Sequence, residues 1–190
     1  PPSCPGQTPA GLAAVSNGRA ILGLGASGPQ VIEGFHGIPY DKPLARTREI
    51  IEICRMMWRR EPVVHEGIYN LPLPEGQGTG LGKALKLINH PVRAEIPIYV
   101  AAIGDKNVAM TAEVADGWLP IFYMPEKAND VWGAALAEGK AKRAPELGPL
   151  DVVAGGLFAI GKGLESIRDF MRPQLALYIG GMGARGKNFY

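Results

Sequence analysis

Four short and almost wholly apolar runs, each followed by a stretch of helical periodicity, limit what this chain can fold into. They are Arg19-Ala-Ile-Leu-Gly-Leu-Gly25, Ile96-Pro-Ile-Tyr-Val-Ala-Ala102, Trp118-Leu-Pro-Ile-Phe-Tyr123 and Asp151-Val-Val-Ala-Gly-Gly-Leu-Phe-Ala-Ile160. None alternates apolar with polar residues, so each reads as a strand buried on both faces. Between the first two, Ile50, Cys54, Met57 and Trp58 recur at i, i+4, i+7 and i+8, which predicts an amphipathic helix over Asp41 to Arg60 with Pro43 in its first turn. A second helix is predicted from about Lys106 to Ala115, capped by Asp105, and a third from Pro125 to about Lys142. A fourth spans Leu164 to Leu177, disturbed by Pro173. Strand and helix thus alternate four times, the pattern of an α/β protein with a parallel sheet covered by helices. Periodicity alone leaves an open sheet and a closed barrel both available.

The chain carries 26 glycines and 17 prolines in 190 residues, roughly twice average usage. They punctuate apolar runs and do not form low-complexity tracts, so many short elements joined by tight turns are expected. Lys and Arg total 20 against 18 for Asp and Glu, a net charge of +2, which gives no footprint for nucleic acid or an anionic membrane. No apolar run approaches the roughly 18 residues of a membrane span, and no signal-peptide pattern is visible, so a cytoplasmic protein is expected. Cys4 and Cys54 form neither a disulfide framework nor a zinc cluster. His36, His65 and His90 lack metal-ligand spacing, so no metal is expected; His36 is the best placed of the three to line a pocket. Residues 1–17, rich in Pro, Gly and Ser and without periodicity, read as a poorly ordered or atypical N-terminal segment before a folded domain over 18–190. Residues 65–90 read as a long excursion with a turn or hairpin around Gly67-Ile-Tyr-Asn70.

Two strand ends carry candidate chemistry. Gly23-Leu-Gly25-Ala-Ser27-Gly28 has the G-x-G-x-x-G form of a loop whose backbone amides approach a pyrophosphate. Pro29 follows at once, the next predicted helix begins only after Asp41, and no ribose-binding acid stands about 20 residues on, all of which oppose a dinucleotide fold. A tight strand-to-loop turn and a phosphate or cofactor loop both remain open on spacing alone. Ala101-Ala-Ile103-Gly104-Asp-Lys106-Asn107 repeats the arrangement of strand end, glycine and helix start, with Lys106 beside the free amides. It suits an anion, or is a plain connection. In parallel α/β folds both loops would lie on one rim, at the carboxyl ends of the strands. Ser27 lacks the G-x-S-x-G context of a nucleophile elbow.

The stretches Asn17-Gly-Arg-Ala-Ile-Leu-Gly-Leu-Gly-Ala-Ser-Gly-Pro-Gln30, Pro43-Leu-Ala-Arg-Thr-Arg-Glu49, Thr79-Gly-Leu-Gly-Lys83, Pro97-Ile-Tyr-Val-Ala-Ala-Ile-Gly-Asp-Lys-Asn-Val108, Ala115-Asp-Gly-Trp-Leu-Pro120 and Ala176-Leu-Tyr-Ile-Gly-Gly-Met-Gly-Ala-Arg-Gly-Lys-Asn-Phe-Tyr190 resemble the luciferase-like monooxygenase superfamily. The resemblance is closer to its branch of oxidoreductases that use the deazaflavin coenzyme F420. It implies a parallel (β/α)8 barrel of the bacterial-luciferase type. It also implies a cofactor held by Gly25, Ala26, Ser27 and Gly28 together with Ile103, Gly104, Lys106 and Asn107. The reaction implied is hydride transfer between the deazaflavin and a small organic substrate, with FMN as the alternative cofactor and a non-catalytic remnant of the barrel as a further reading. A full barrel needs ~250 residues, so an incomplete one is expected. By resemblance, Arg19 opens about the fourth barrel strand and the usual acid/base residues lie outside these 190, so no catalytic residue is assigned. Positions 1–16 match the superfamily poorly. An open piece of barrel exposes strand edges and apolar surface, which predicts a chain that is marginal alone, aggregation-prone or dependent on self-association into a homo-oligomer.

Overall fold

The computed structural model describes residues 1–156, 158–184 and 186–188. Leu157, within the fourth apolar run, and Arg185, Phe189 and Tyr190, in the last matching stretch, lie outside the described residues. Four parallel strands, β1 (Leu22–Gly25), β2 (Ile98–Ala101), β3 (Gly117–Leu119) and β4 (Asp151–Val152), form one sheet in the order β1-β2-β3-β4. An order that follows the sequence, with no crossover that skips a strand, is the arrangement of a (β/α)8 barrel and has no topological switch point. Gly25 pairs with Ala101, and Ala101 with Leu119, so the strands end level.

Along each strand side chains alternate between two faces. Leu22, Leu24, Ile98, Val100 and Trp118 point into the hydrophobic core. The helices α3 (Pro43–Trp58), α4 (Asp105–Val114) and α5 (Pro125–Lys142) cover that face through residues such as Ile51, Cys54, Val108 and Trp132. The other face carries Gly23, Gly25, Tyr99, Ala101 and Gly117. There the Tyr99 hydroxyl donates to Asp151 Oδ2 at 2.6 Å, and the ring crosses Gly117, where a Cβ would sit 2.7 Å from it. Only glycine lets the ring lie flat on that strand.

The motif Ala115-Asp-Gly-Trp has a structural reason. Asp116 Oδ2 accepts the Ile98 N–H at 2.8 Å and Arg55 Nη2 at 3.3 Å, tying the start of β2 to α3. Arg143 closes the other end of α4, donating to the Ala112 and Ala115 carbonyls at 2.9 and 2.6 Å. Between α4 and α5 a Cβ at Gly139 would run into the Ala109 carbonyl, so glycine permits the close crossing of the two helices.

Four expectations need correction. Residues 3–15 are not loosely docked: they form helix α1 (Ser3–Val15), with Ala10 and Ala13 fully buried and the Trp58 indole donating to the Gly6 carbonyl at 2.8 Å. The small residues that hid its periodicity are what let it approach α3. A helix does follow the first glycine loop, α2 (Pro29–His36), with Gly28 as N-cap. Pro29 opens it, a position where the missing N–H costs nothing. At α4 the N-cap is Gly104, with Asp105 inside the first turn. The strands are shorter than the apolar runs, which continue into loops.

The turn at 65–71 forms as expected, with His65 and Leu71 bridged. It is held by Glu49 of α3, whose carboxylate accepts the Ile68 and Tyr69 N–H groups at 3.0 and 2.9 Å. Helix α6 (Leu164–Ala176), containing Pro173, continues into a wider turn over Leu177–Gly181 and a two-stranded antiparallel pair, β5 (Gly183–Ala184) and β6 (Lys187–Asn188).

Candidate functional site: a cradle at two strand ends

The β1–α2 and β2–α4 loops leave neighbouring parallel strands at the same level. A Cβ built on Gly25 would lie 3.6 Å from Ala101 Cβ, ordinary contact distance. Each loop runs directly into a helix N-terminus whose cap residue is a glycine and makes no side-chain hydrogen bond to the helix amides. Two uncapped helix starts on one rim concentrate positive potential and backbone donors there.

The loops are not held slackly. Ser27 sits at φ +53, the left-handed region that a non-glycine residue enters at a cost of about 1–2 kcal/mol. Its carbonyl accepts the Tyr40 hydroxyl at 3.1 Å, and the Tyr40 N–H in turn donates to Glu33 Oε1 at 3.2 Å. Burial raises the Tyr40 pKa above its ordinary value, so its proton is kept at neutral pH. In the second loop the Trp118 indole donates to the Ala102 carbonyl at 3.0 Å and the Trp132 indole to the Ile103 carbonyl at 2.8 Å. The two indoles pack edge to face, with centroids 5.2 Å apart, and Tyr123 stacks parallel to Trp132.

Beside the first loop lies a cavity of about 210 Å³ lined by Gly25, Ala26, Ile32, Tyr40, Arg46 and Tyr69, among others. Arg46 pairs with Asp41 at 2.7 Å and lies over the Tyr69 ring, so its charge is held at the rim.

Of the residues expected to form the site, Gly25, Ala26, Ser27, Gly28, Ile103 and Gly104 come together on this rim. Asn107 is the third residue of α4, in its first turn, and its Oδ1 is buried without a protein partner. Lys106 is exposed in the first turn of α4, and its side chain lines the groove between α3 and α5, beside Arg48 and Glu113. His36 ends α2, exposed, and does not line the cavity. His65 donates from Nδ1 to the Tyr69 carbonyl at 2.7 Å, and His90 accepts from Arg60 at 3.2 Å. Both bonds brace loops. Among the described residues no group of His, Cys, Asp and Glu is arranged to hold a metal ion, and no helix is long and apolar enough to cross a membrane. Sequence reasoning missed the roles of Tyr40, Trp118 and Trp132; the one signal present was an aromatic donor within reach of each glycine turn.

The sequence profile of the luciferase-like monooxygenase family matches residues 2–190. The chain belongs to that family. The match takes in the N-terminal helix, against the expectation that positions 1–16 stand apart. A candidate coenzyme F420-dependent oxidoreductase of Mycobacterium tuberculosis H37Rv is 50% identical over 181 residues, covering 93% of this chain and 52% of that protein. The 5,10-methylenetetrahydromethanopterin reductase of Archaeoglobus fulgidus is 30% identical over 167 residues, covering 88% of this chain and 46% of its own length. Among solved structures, the coenzyme F420-dependent tetrahydromethanopterin reductase of Methanopyrus kandleri superposes with a TM-score of 0.75 at 23% identity, covering 97% of this chain and 54% of that one. The luciferase-like chain therefore has the parallel α/β fold of these barrel proteins as an incomplete barrel, with four parallel strands in its sheet among the described residues, and it spans about half the length of the relatives it matches.

Proposed function

We propose that this chain carries the cofactor-phosphate half of an F420-dependent oxidoreductase, which transfers a hydride between the deazaflavin and a small organic substrate. The observation that carries the reading is the pairing of Gly25 with Ala101, which sets two uncapped helix starts side by side. The residues present fit a phosphate-bearing cofactor. Gly25, Ala26 and Ala101 keep the rim low, so that a ligand reaches the backbone. Ser27 offers a hydroxyl, and the amides that open α2 and α4 offer donors to an anion. Lys106 adds charge to the field of the same helix start, and Asn107, in the same turn, carries a buried amide oxygen without a protein partner. When bound, the deazaflavin supplies the hydride chemistry; these residues bind and orient it. No acid/base residue is assigned.

F420 is favoured over FMN by the relatives named F420-dependent. Saturable quenching of deazaflavin fluorescence by the 190-residue chain tests the reading, and retention of FMN in its place would favour the alternative. The exposed Phe158 and Ile160, each 85% accessible, support self-association, which light scattering on a size-exclusion column measures.

A further inference from the structure

Three aromatic donors hold three consecutive-loop carbonyls: Tyr40 that of Ser27, Trp118 that of Ala102 and Trp132 that of Ile103. A trans peptide is planar, with its N–H directed opposite to its C=O. Holding these carbonyls toward their aromatic donors therefore turns the N–H groups of Gly28, Ile103 and Gly104 away from those donors. It also removes three negative carbonyl ends from the space in front of the loops. We propose that Tyr40, Trp118 and Trp132 are positioning residues that set these three peptide planes, so that the two loops present one face of N–H donors to a phosphate.

The inference rests on the proposed cofactor reading and extends it to residues that do not touch the ligand. Tyr40 has the heaviest duty. Ser27 occupies a left-handed conformation unfavourable for a residue with a Cβ, and the hydroxyl bond offsets that preference. Tyr40 is itself tied to Glu33 of α2, so the loop and the helix it opens are fixed as a unit. On the other loop, Trp118 is fully buried and Trp132 nearly so, and their mutual packing leaves the indole N–H groups little freedom to turn away.

The test removes a donor while keeping its shape: Tyr40→Phe, and Trp132 replaced by its benzothienyl analogue, in which sulfur stands for N–H. Each variant is titrated with coenzyme F420 and with the phosphate-free deazaflavin chromophore. Loss of one hydrogen bond predicts a roughly 3- to 10-fold weaker grip on the phosphate-bearing coenzyme, with affinity for the phosphate-free chromophore unchanged. Equal weakening of both ligands would mean general loosening and overturn the proposal, as would no change in either. If the unaltered chain binds neither ligand, the cofactor reading itself fails and the proposal falls with it. Binding by the unaltered chain with unaffected variants overturns the positioning role alone.

Discussion

Gly25 and Ala101 lie directly opposite one another at the carboxyl ends of β1 and β2, and a Cβ on Gly25 would stand 3.6 Å from that of Ala101. An alanine therefore fits at position 25, since that is ordinary van der Waals separation and Gly25 does not occupy the left-handed region. Gly25→Ala is expected to leave the urea midpoint nearly unchanged. Gly25→Leu is expected to keep the far-ultraviolet circular dichroism spectrum while covering Ala26 and Ala101, lowering affinity for the deazaflavin by ~10-fold or more, the loss of about 1.4 kcal/mol. Equal affinity in the leucine variant would remove Gly25 from the site.

Gly139→Ala tests the helix crossing. The added Cβ meets the Ala109 carbonyl and would lie 2.6 Å from Ala112 Cβ, neither of which swings aside. Overpacking of this kind costs about 1–3 kcal/mol, read as a lower urea midpoint at constant slope.

Arg48 binds Glu113 through both terminal guanidinium nitrogens, at 2.9 and 2.7 Å, joining α3 to α4. The hydrogen bonds from Arg48 hold the Glu113 carboxyl below its ordinary value of 4.5. A depressed folded-state pKa contributes stability that is present above the unfolded value and lost as pH falls through the folded one. Glu113→Gln is therefore expected to cost about 1 kcal/mol at neutral pH, a partly exposed bidentate pair being worth no more. The gap between variant and parent should narrow as pH falls below 4.5 and close only below the depressed folded-state value. A gap that persists in acid would mean the pair contributes nothing through charge.

Cys54 and Cys4 should react differently with a thiol reagent. Burial pushes the Cys54 thiol up to about 12, while Cys4 is exposed. Thiolate is the reactive form, so at mildly alkaline pH the native chain is expected to release one equivalent from Ellman's reagent and the denatured chain two. Two equivalents from the native chain would show that the α3 core opens readily.

Much of this architecture was legible because the local signals agree with the packing. Helix α5 spans Pro125–Lys142 as read, since Pro125 starts it and Trp132 and Ala135 recur on its buried face. The four strands were found because parallel strands under helices are apolar on both faces. Helix α1 was missed because Gly6, Pro9, Ala10 and Ala13 give close approach without a hydrophobic stripe. Helix α2 was missed because Pro29 reads equally as a breaker or as a first-turn residue, and only Gly28 in an extended conformation decides between them. The glycine loops themselves stood out in the sequence, whereas their side-by-side placement depended on strand order. The bonds from Tyr40, Trp118 and Trp132 join residues 13 to 29 positions apart, and no periodicity reports a contact of that range.

Amide shifts followed by heteronuclear NMR as coenzyme F420 is added test whether both loops form one phosphate cradle. The expected outcome is that resonances of residues 25–28 and of residues 103–107 move together and saturate at a single ligand concentration. Movement in one loop alone, or at two separate midpoints, would contradict a shared site.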